Sequence, residues 1–328
     1  MKARDYFWSA VGLAAVCFAV WVLYHELRGI SLDDVRDSLG ALSLHHWFLS
    51  AFGAVVAYGA LAIYDHMALQ HIGKRVPWLF VTLCSFTTYA LSHNIGGSVV
   101  SGAVIRYRAY GSRGLTGQEV GILVAFCFIT FVLAAALVGG VVFIIEPSII
   151  DRFVDFEGLP VKLSKATGIV VLCMIALYVF GSWLALRPLK IGGVRLEYPR
   201  LPIVLQQLTI GPVEIIGAAS IVFFTLPEAG NPGFIVVLGV FVVAFSLATS
   251  THAPGGLGVF EVVMLTGLSD MDTAGVLAAL VVFRLFYYII PLALALIIVV
   301  GFERFQFLGR WRAKPAAADA KTRPDSGP

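Results

Sequence analysis

The chain has 328 residues, of which 59% are hydrophobic and 13% are charged. Soluble domains carry about 25% charged residues, so this composition excludes an ordinary soluble fold and predicts one polytopic membrane domain. The net charge of +3 is modest, and we expect no nucleic-acid partner. Four cysteines lie in apolar runs without paired spacing, which argues against a disulfide framework or a zinc site. We expect no metal and no cofactor.

Six apolar runs are long enough to cross a bilayer, which takes about 20 residues. The first follows a basic N-terminus, and it is predicted to be a retained transmembrane helix because a signal peptide has a shorter apolar region. The six predicted spans are Phe7–Leu27, Trp47–Leu69, Val120–Ile145, Thr167–Leu186, Leu201–Leu226 and Ala274–Phe302. Two further apolar runs, Trp78–Ser92 and Phe234–Ser250, are shorter.

Each short run leads directly into a glycine-rich break. The first break is SHNIGGSVVSGAVIRYRAYGSR, and the second is THAPGGLGVFE. Unpaired backbone in lipid costs several kcal/mol per group, so such breaks belong in the interior of a bundle. Short, interrupted segments at corresponding places in two halves are typical of transporter binding sites. The residues predicted to break the backbone are Gly96, Gly97, Gly102, Pro254, Gly255, Gly256 and Gly258.

The basic residues indicate the orientation, because Lys and Arg concentrate in cytoplasmic loops. Every strongly basic loop falls on one side if both short runs dip into the membrane and return. We therefore predict an all-α polytopic membrane protein with six spanning helices and two re-entrant broken-helix hairpins in an inverted repeat. The transmembrane domain covers residues 1–305, with halves at about 7–145 and 167–302. Residues 306–328 are predicted to be a disordered tail, and both termini are predicted to be cytoplasmic.

Charged residues in the middle of apolar runs are expected to face the interior and to pair. Glu214 and Arg284 are such residues, and we expect a charge pair that acts as a gate, or else a structural ion pair. Glu261 opens a short helix, where it favours the helix dipole or contacts a cationic headgroup. Asp65, with His66, lies near the end of its span; we interpret it as interfacial, with a place in the cavity as the alternative.

Candidate headgroup-binding residues cluster around the two breaks. Arg106, Arg108 and Tyr110 belong to the sequence RYRAY, and arginine holds phosphate through a bidentate fork. The alternative is an ordinary basic loop with an aromatic belt. His93 and His252 occupy matching positions before the breaks, where they either contact a phosphate or satisfy loose backbone carbonyls. Asn94 follows His93 in the first break and joins this group of candidates.

The segments SHNIGGSVVSGAVIRYRAYGSRGLT and THAPGGLGVFEVVML resemble the two hallmark segments of the lysylphosphatidylglycerol synthase/flippase transmembrane region. The resemblance extends through Glu214 and VVFRLFYYIIPL and covers roughly residues 5 to 305. Two-function members of that family also carry a soluble domain that transfers an amino acid from charged tRNA to phosphatidylglycerol. Only 26 residues follow Phe302, so the resemblance implies lipid translocation without lipid synthesis.

We therefore expect a bacterial inner-membrane flippase for a phospholipid, such as an aminoacylated phosphatidylglycerol, and no enzymatic activity. The expected partners are anionic membrane lipids, together with a second copy of the chain or a lipid-synthesis enzyme. No nucleotide-binding motif is present, so an ion gradient, the membrane potential or downhill flow would supply energy. The alternatives are a secondary transporter of a small anionic solute and a non-transporting partner of a lipid-modifying enzyme.

Overall fold

The computed structural model describes residues 32–96, 98–153, 160–184, 189–191, 194–196, 198–251 and 254–301, and these ranges are mostly helical. The helices are α1 (Leu32–Gly40), α2 (Leu44–His71), α3 (Trp78–Ile95), α4 (Ser98–Gly111), α5 (Gly117–Ile145), α6 (Pro160–Trp183), α7 (Leu201–Phe223), α8 (Phe234–Ser250), α9 (Val259–Gly267) and α10 (Thr273–Gly301). The ranges Pro147–Arg152 and Pro254–Gly256 form 3-10 turns. Strands β1 (Leu189–Ile191) and β2 (Val194–Leu196) form a short antiparallel pair between α6 and α7.

Five of the six predicted spans correspond to helices that are long and apolar enough to cross a membrane: α2, α5, α6, α7 and α10. The first predicted span, Phe7–Leu27, and the predicted tail at 306–328 lie outside the described residues. Large apolar side chains such as Leu177 and Ile297 are exposed on the outer faces of these helices. Lipid solvates such a surface, whereas water does not, so the exposure agrees with a multi-pass membrane protein.

Helices α2 and α7 cross at a contact made by small residues. A side chain added at Gly217 on α7 would lie 2.9 Å from the amide nitrogen of Ala57 and 2.9 Å from the carbonyl oxygen of Gly53, both on α2. Helices in a membrane gain little from the hydrophobic effect between them and associate instead through such close backbone approach. This contact fixes two spanning helices, one from each half, at the centre of the bundle.

Helices α3 and α4 pack against each other as a helical hairpin, which we call hairpin 1. Its turn follows Gly96, where the backbone adopts φ +83°, a conformation that favours glycine. The two ends of hairpin 1 lie close together, because Lys74, which precedes α3, forms a 2.9 Å salt bridge with Glu119, which follows α4. Hairpin 1 therefore begins and ends at the same end of the bundle.

Helices α8 and α9 form a second hairpin, which we call hairpin 2, and the 3-10 turn Pro254–Gly256 lies at its tip. Its two ends also meet. A side chain at Gly230, before α8, would lie 3.0 Å from the carbonyl oxygen of Asp270, after α9. Arg152 joins this end as well, since it donates to the carbonyl oxygen of Gly267 at 2.9 Å and to Asp270 Oδ2 at 2.6 Å.

Helix α5 connects the two sets of hairpin ends. It begins beside the ends of hairpin 1, where Thr116 and Glu119 form a reciprocal capping box. Its 29 residues span about 43 Å at 1.5 Å per residue. It leads into the turn that carries Arg152, beside the ends of hairpin 2. The two hairpins therefore open at opposite ends of α5.

The tips of the hairpins meet in the middle of the bundle. The turn Pro254–Gly256 packs against α3. The ring of His93, near the tip of hairpin 1, lies edge-on to Phe245 of hairpin 2, with ring centroids 6.4 Å apart. The interior of the fold is thus formed where two helical breaks and several spanning helices converge.

Candidate functional site

A small cavity lies where the hairpins meet, and we call it the central cavity. It has a volume of about 70 Å³ and is bordered by α2, α3, α4, α5, α7 and α8. Its polar lining includes Arg106, His93, Glu214, Tyr64 and Thr249, and the rest is mainly apolar. Buried ionisable groups in a membrane protein are costly and mark functional candidates.

Arg106 is paired with Asp65 at the wall of this cavity. Arg106 Nε donates to Asp65 Oδ2 at 3.1 Å and Nη2 donates to Oδ1 at 2.6 Å, while Tyr110 donates its hydroxyl to Oδ2 at 2.9 Å. The Arg106 guanidinium also lies 4.7 Å from the ring centroid of Tyr89. Asp65 is fully buried, so its interpretation as an interfacial residue is wrong. Hairpin 1 covers this part of α2 and supplies both donors.

His66, the neighbour of Asp65, points elsewhere. Its Nε2 lies 3.0 Å from Gln70 Nε2, and its ring lies edge-on to Trp78 at 4.7 Å.

Arg106 and Arg108 do not act on one ligand in this conformation. Residues two apart on a helix face different directions. Arg106 is buried against Asp65, whereas Arg108 is exposed and borders an apolar groove. The structure thus separates the two arginines that the RYRAY sequence placed together.

The apolar groove lies between hairpin 1 and the final turns of α10, and its volume is about 480 Å³. Its walls include Phe80 and Leu83 from α3, Val104 from α4 and Ile298 from α10. Arg108 is the charged side chain among its lining residues. The groove therefore combines a long apolar surface with a cationic group.

The predicted pair between Glu214 and Arg284 is wrong. Arg284 Nε donates to Glu261 Oε1 at 2.6 Å, and the guanidinium also donates to the carbonyl oxygen of Gly255 at 3.3 Å. Glu261 Oε2 accepts a hydrogen bond from the backbone N–H of Gly258 at 2.8 Å. Glu261 therefore both caps α9 and binds Arg284. Arg284 thereby ties α10 to the tip and the second arm of hairpin 2.

Both ion pairs share one architecture. In each, a residue on the returning arm of a hairpin binds a residue on a spanning helix: Arg106 binds Asp65, and Glu261 binds Arg284. The arginine lies on the hairpin in the first pair and on the spanning helix in the second. Each hairpin is therefore anchored by one buried or half-buried arginine–carboxylate pair.

Glu214 has a different partner, which the sequence reasoning missed. Tyr287 donates its hydroxyl to Glu214 Oε1 at 3.0 Å, and Glu214 Oε2 is buried without a hydrogen-bond partner among the described residues. The sequence VVFRLFYY does place Tyr287 one helical turn after Arg284, so the two residues share a helix face, and this spacing could have indicated Tyr287 as a partner. Residues Leu285–Ile289 form a π-helical segment, a feature frequent at functional sites.

The π-helical segment also binds two other helices through its carbonyl oxygens. Tyr58 on α2 donates to the carbonyl oxygen of Tyr287 at 2.9 Å, and Asn94 on α3 donates to that of Tyr288 at 3.3 Å. Asn94, a candidate headgroup contact, therefore connects the tip of hairpin 1 with α10. The carbonyl oxygen of Tyr287 is open to Tyr58 because residue 291, four positions on, is a proline and has no N–H to donate.

The contacts of His93 with the described residues are made by its ring. Its ring stacks on Tyr287, with centroids 5.5 Å apart and an interplanar angle of 15°. Its Nδ1 is buried and has no hydrogen-bond partner among the residues described. His252, the matching candidate in hairpin 2, lies outside the described residues.

The glycines at the breaks have distinct structural positions. Positive φ values occur at Gly96, Gly255, Gly256 and Gly258, with Gly255 at +62°. Gly102 differs, because it lies inside α4 rather than at the turn. A side chain there would lie 3.2 Å from Arg106 Nη1, so Gly102 leaves room for the guanidinium. Pro254 opens the 3-10 turn, and Gly97 lies outside the described residues.

A metal centre has no basis in the described part of the chain, where no three His, Cys, Asp or Glu side chains are grouped to hold an ion. What the described residues bring together is two arginine–carboxylate pairs, one buried carboxyl group, one buried imidazole and an adjoining apolar groove. Such a set can bind anions and protons.

Comparison with known proteins identifies relatives of this chain. No family model matches the chain, but curated proteins do. The chain is 30% identical over 310 residues to uncharacterized protein slr0712 of Synechocystis sp., covering 93% of this chain and 94% of that protein. It is 30% identical over 295 residues to the inner membrane protein YbhN of Escherichia coli, covering 89% and 88%.

A third relative is larger. The chain is 26% identical over 294 residues to a phosphatidylglycerol lysyltransferase of Staphylococcus haemolyticus, covering 87% of this chain but 33% of that protein. The match is thus to about a third of the transferase. Together with five membrane-length helices, these relatives identify a multi-pass membrane protein. The chain belongs to the family of the lysylphosphatidylglycerol synthase/flippase transmembrane region.

Proposed function

We propose that this protein moves an anionic phospholipid across the bacterial inner membrane and does not synthesise it. The observation that carries the proposal is the apolar groove of about 480 Å³ beside hairpin 1, with exposed Arg108 at its edge. An apolar groove alone suits any hydrophobic ligand, and an arginine alone suits any anion. The combination suits a molecule with an acyl chain and a phosphate.

The groove supplies both kinds of contact. Burying a methylene group of an acyl chain is worth about 0.8 kcal/mol, so an apolar wall of this size binds a chain through many small contributions. A phosphate at Arg108 gains a charge-assisted hydrogen bond, which is stronger than a neutral one. The buried Thr87 hydroxyl also borders the groove and has no hydrogen-bond partner among the described residues. It offers a lipid a second polar contact.

The two hairpins in this proposal are re-entrant, and they form an inverted repeat. Each hairpin begins and ends at one end of the bundle, as the contacts Lys74–Glu119 and Gly230–Asp270 support. Broken backbone is tolerated at membrane depth where protein surrounds it. With Lys74, Arg75 and Arg113 in the cytoplasm, hairpin 1 opens inward and hairpin 2 opens outward. Both termini are then cytoplasmic.

The headgroup passes along hairpin 1 toward the central cavity while the acyl chains stay in lipid. Arg108 receives the phosphate first. Arg106 then exchanges the Asp65 carboxylate for the phosphate, since both are anions that a guanidinium binds bidentately. His93 and Asn94, at the tip of hairpin 1, border the later part of the path, and His252 remains a predicted contact. The pair Glu261–Arg284 serves as the gate at hairpin 2, and Glu214 responds to the passing charge.

The class of lipid follows from the relatives. One relative is named phosphatidylglycerol lysyltransferase, so phosphatidylglycerol, plain or lysylated, is the proposed cargo. A lipid-synthesis enzyme, or a second copy of the chain, is the proposed protein partner.

The test uses purified protein in vesicles that contain fluorescent phosphatidylglycerol. Loss of outer-leaflet fluorescence to an impermeant reductant reports which lipids have crossed. We expect crossing with the wild type and a roughly tenfold lower rate with Arg108→Ala, because a charge-assisted hydrogen bond contributes about 1.5 kcal/mol. Lys165→Ala, which removes a positive charge from an exposed site on α6, should leave the rate unchanged. No crossing with the wild type would contradict the proposal.

A second candidate, a secondary transporter of a small anion, is favoured by the small volume of the central cavity. The same vesicles decide between the two candidates. Uptake of radiolabelled phosphate without lipid crossing would support the transporter. If neither molecule moves, a non-transporting role beside a lipid-modifying enzyme is supported.

A further inference from the structure

Glu214 differs from the other buried carboxylates of the described residues. Asp65 and Glu261 are each paired with an arginine. Glu214 is 2% exposed, accepts one hydrogen bond from the Tyr287 hydroxyl, and has a buried Oε2 without a partner among these residues. An isolated carboxylate in an apolar interior is so costly that the group takes up a proton instead. The surroundings of Glu214 therefore favour its neutral acid form over the carboxylate.

The surroundings of Glu214 contain groups that can exchange that proton. The titratable or charged side chains around it come from five helices: Tyr58 and Tyr64 on α2, Tyr89 and His93 on α3, Arg106 on α4, Cys127 on α5 and Tyr287 on α10. From α8, Phe245 and Thr249 border the cavity and do not titrate. From α6, Tyr178 contacts Gln207, two helical turns away from Glu214.

Two unpartnered buried atoms thus stand on the wall of one cavity: Glu214 Oε2 and His93 Nδ1. The cavity volume of about 70 Å³ has room for about two water molecules at about 30 Å³ each. Buried polar atoms without partners are rare and call for an explanation such as bound water or a catalytic or transport role. Water in this cavity would supply partners to the acid and the imidazole.

We propose that Glu214 is a proton-binding site that couples proton movement to lipid movement. When the cavity opens to one side of the membrane, the O–H bond of the Glu214 acid breaks and its proton passes to cavity water. His93, as the Nε2–H tautomer, accepts a hydrogen bond from that water at Nδ1. The products are a Glu214 carboxylate and a hydronium ion, which leaves through the water on that side.

The proton step has a consequence for Arg106. While Glu214 is neutral, Asp65 is the anion that holds the Arg106 guanidinium. Once Glu214 is ionised, a second carboxylate borders the same cavity and competes for Arg106. Release of the proton therefore favours separation of Arg106 from Asp65, which is the exchange that the proposed lipid path requires. This coupling rests on the proposed function, whereas the proton site itself does not.

The proton site is tested without transport, by infrared spectroscopy of the full chain in detergent at neutral pH. A protonated acid in an apolar site gives a separate carbonyl band. We expect this band in the wild type, its loss in Glu214→Gln, and its retention in Glu228→Gln, a matched change at an exposed loop position. Tyr287→Phe removes the hydrogen bond to Oε1 and should shift the band, which keeps the assignment testable if Glu214→Gln folds poorly. A wild type without the band, or a band that neither Glu214→Gln nor Tyr287→Phe changes, would overturn the site.

The coupling is tested in vesicles with an imposed pH gradient. In the wild type, the rate of lipid crossing should differ between the two gradient directions, and this difference should be lost in Glu214→Gln. Crossing at symmetric pH with no response to the gradient would overturn the coupling and leave the proposed function standing. Absence of crossing at symmetric pH would count against the proposed function, and the infrared result would still decide the proton site.

Discussion

Arg106 holds Asp65 through two parallel hydrogen bonds, of 3.1 Å and 2.6 Å, inside the bundle. Both residues are nearly or fully buried, at 4% and 0% exposed. The pair joins the returning arm of hairpin 1 to α2, which in turn packs on α7 through small residues. The position of hairpin 1 relative to the central spanning helices therefore depends on this pair.

Removing one partner of the pair should be costly. Asp65→Ala leaves the Arg106 guanidinium buried without its anion, and breaking such a pair costs about 3–5 kcal/mol. The double variant Asp65→Leu/Arg106→Met removes both charges and should recover much of the loss. Thermal unfolding in detergent measures both effects. A single variant as stable as the wild type would show that the pair is not structural, and loss of lipid crossing in a stable double variant would show that it acts in transport.

Glu261 makes two contacts, a hydrogen bond from Gly258 and an ion pair with Arg284, and two substitutions separate their contributions to stability. Glu261→Gln keeps an oxygen for the Gly258 N–H but loses the charge opposite Arg284, whereas Glu261→Ala loses both contacts. Because a helix cap is worth about 0.5–2 kcal/mol, the alanine variant should be the less stable of the two by about that amount. Chemical unfolding in detergent measures the difference, with Glu228→Ala as an exposed control. Equal stability of both variants would contradict the cap.

The contact between α2 and α7 leaves no room at Gly217. Gly217→Ala should destabilise the protein by about 1–3 kcal/mol, because the new methyl group would press on the backbone of Ala57 and Gly53. Gly59→Ala is the matched control, since Gly59 lies on α2 with open space around it. That control should be neutral or stabilising by about 0.5–1 kcal/mol. Thermal unfolding distinguishes the two, and equal melting temperatures would contradict the close approach.

Cysteine labelling tests the arrangement of the hairpins in the membrane. In a chain whose own cysteines are replaced, Lys74→Cys and Ser112→Cys should react with an impermeant maleimide from the cytoplasmic side. Asp270→Cys should react from the opposite side. The expectation follows from the contacts at the ends of each hairpin and from the course of α5 between them. Labelling of positions 74 and 112 from different sides would make α3 and α4 a single crossing and refute the re-entrant hairpin.

The helices were predictable because the signals are local. Long apolar runs indicated the spans, and the glycine pair after Asn94 indicated the break at Gly96. The turn at Gly255 and Gly256 was predictable for the same reason, since positive φ favours glycine. These features depend on residues adjacent in sequence, so periodicity and composition are sufficient to predict them.

The partners of the charged residues were less predictable. Arg284 binds Glu261 rather than Glu214, because the rotation of α10 depends on its packing against hairpin 2 and on a π-helical segment that no sequence pattern marks. The distance of Asp65 along its span predicts an interfacial position, but the fold places hairpin 1 over it. The separation of Arg106 from Arg108 was predictable, since residues two apart on a helix diverge.

The meeting of the hairpin tips has a further consequence for permeability. Three packed rings, those of His93, Tyr287 and Phe245, lie where the tips meet, with centroids 5.5 to 6.4 Å apart. A hydrated ion that entered between the tips would have to displace these rings. The same aromatic contacts that hold the two helix breaks together therefore also obstruct ions at this point of the bundle.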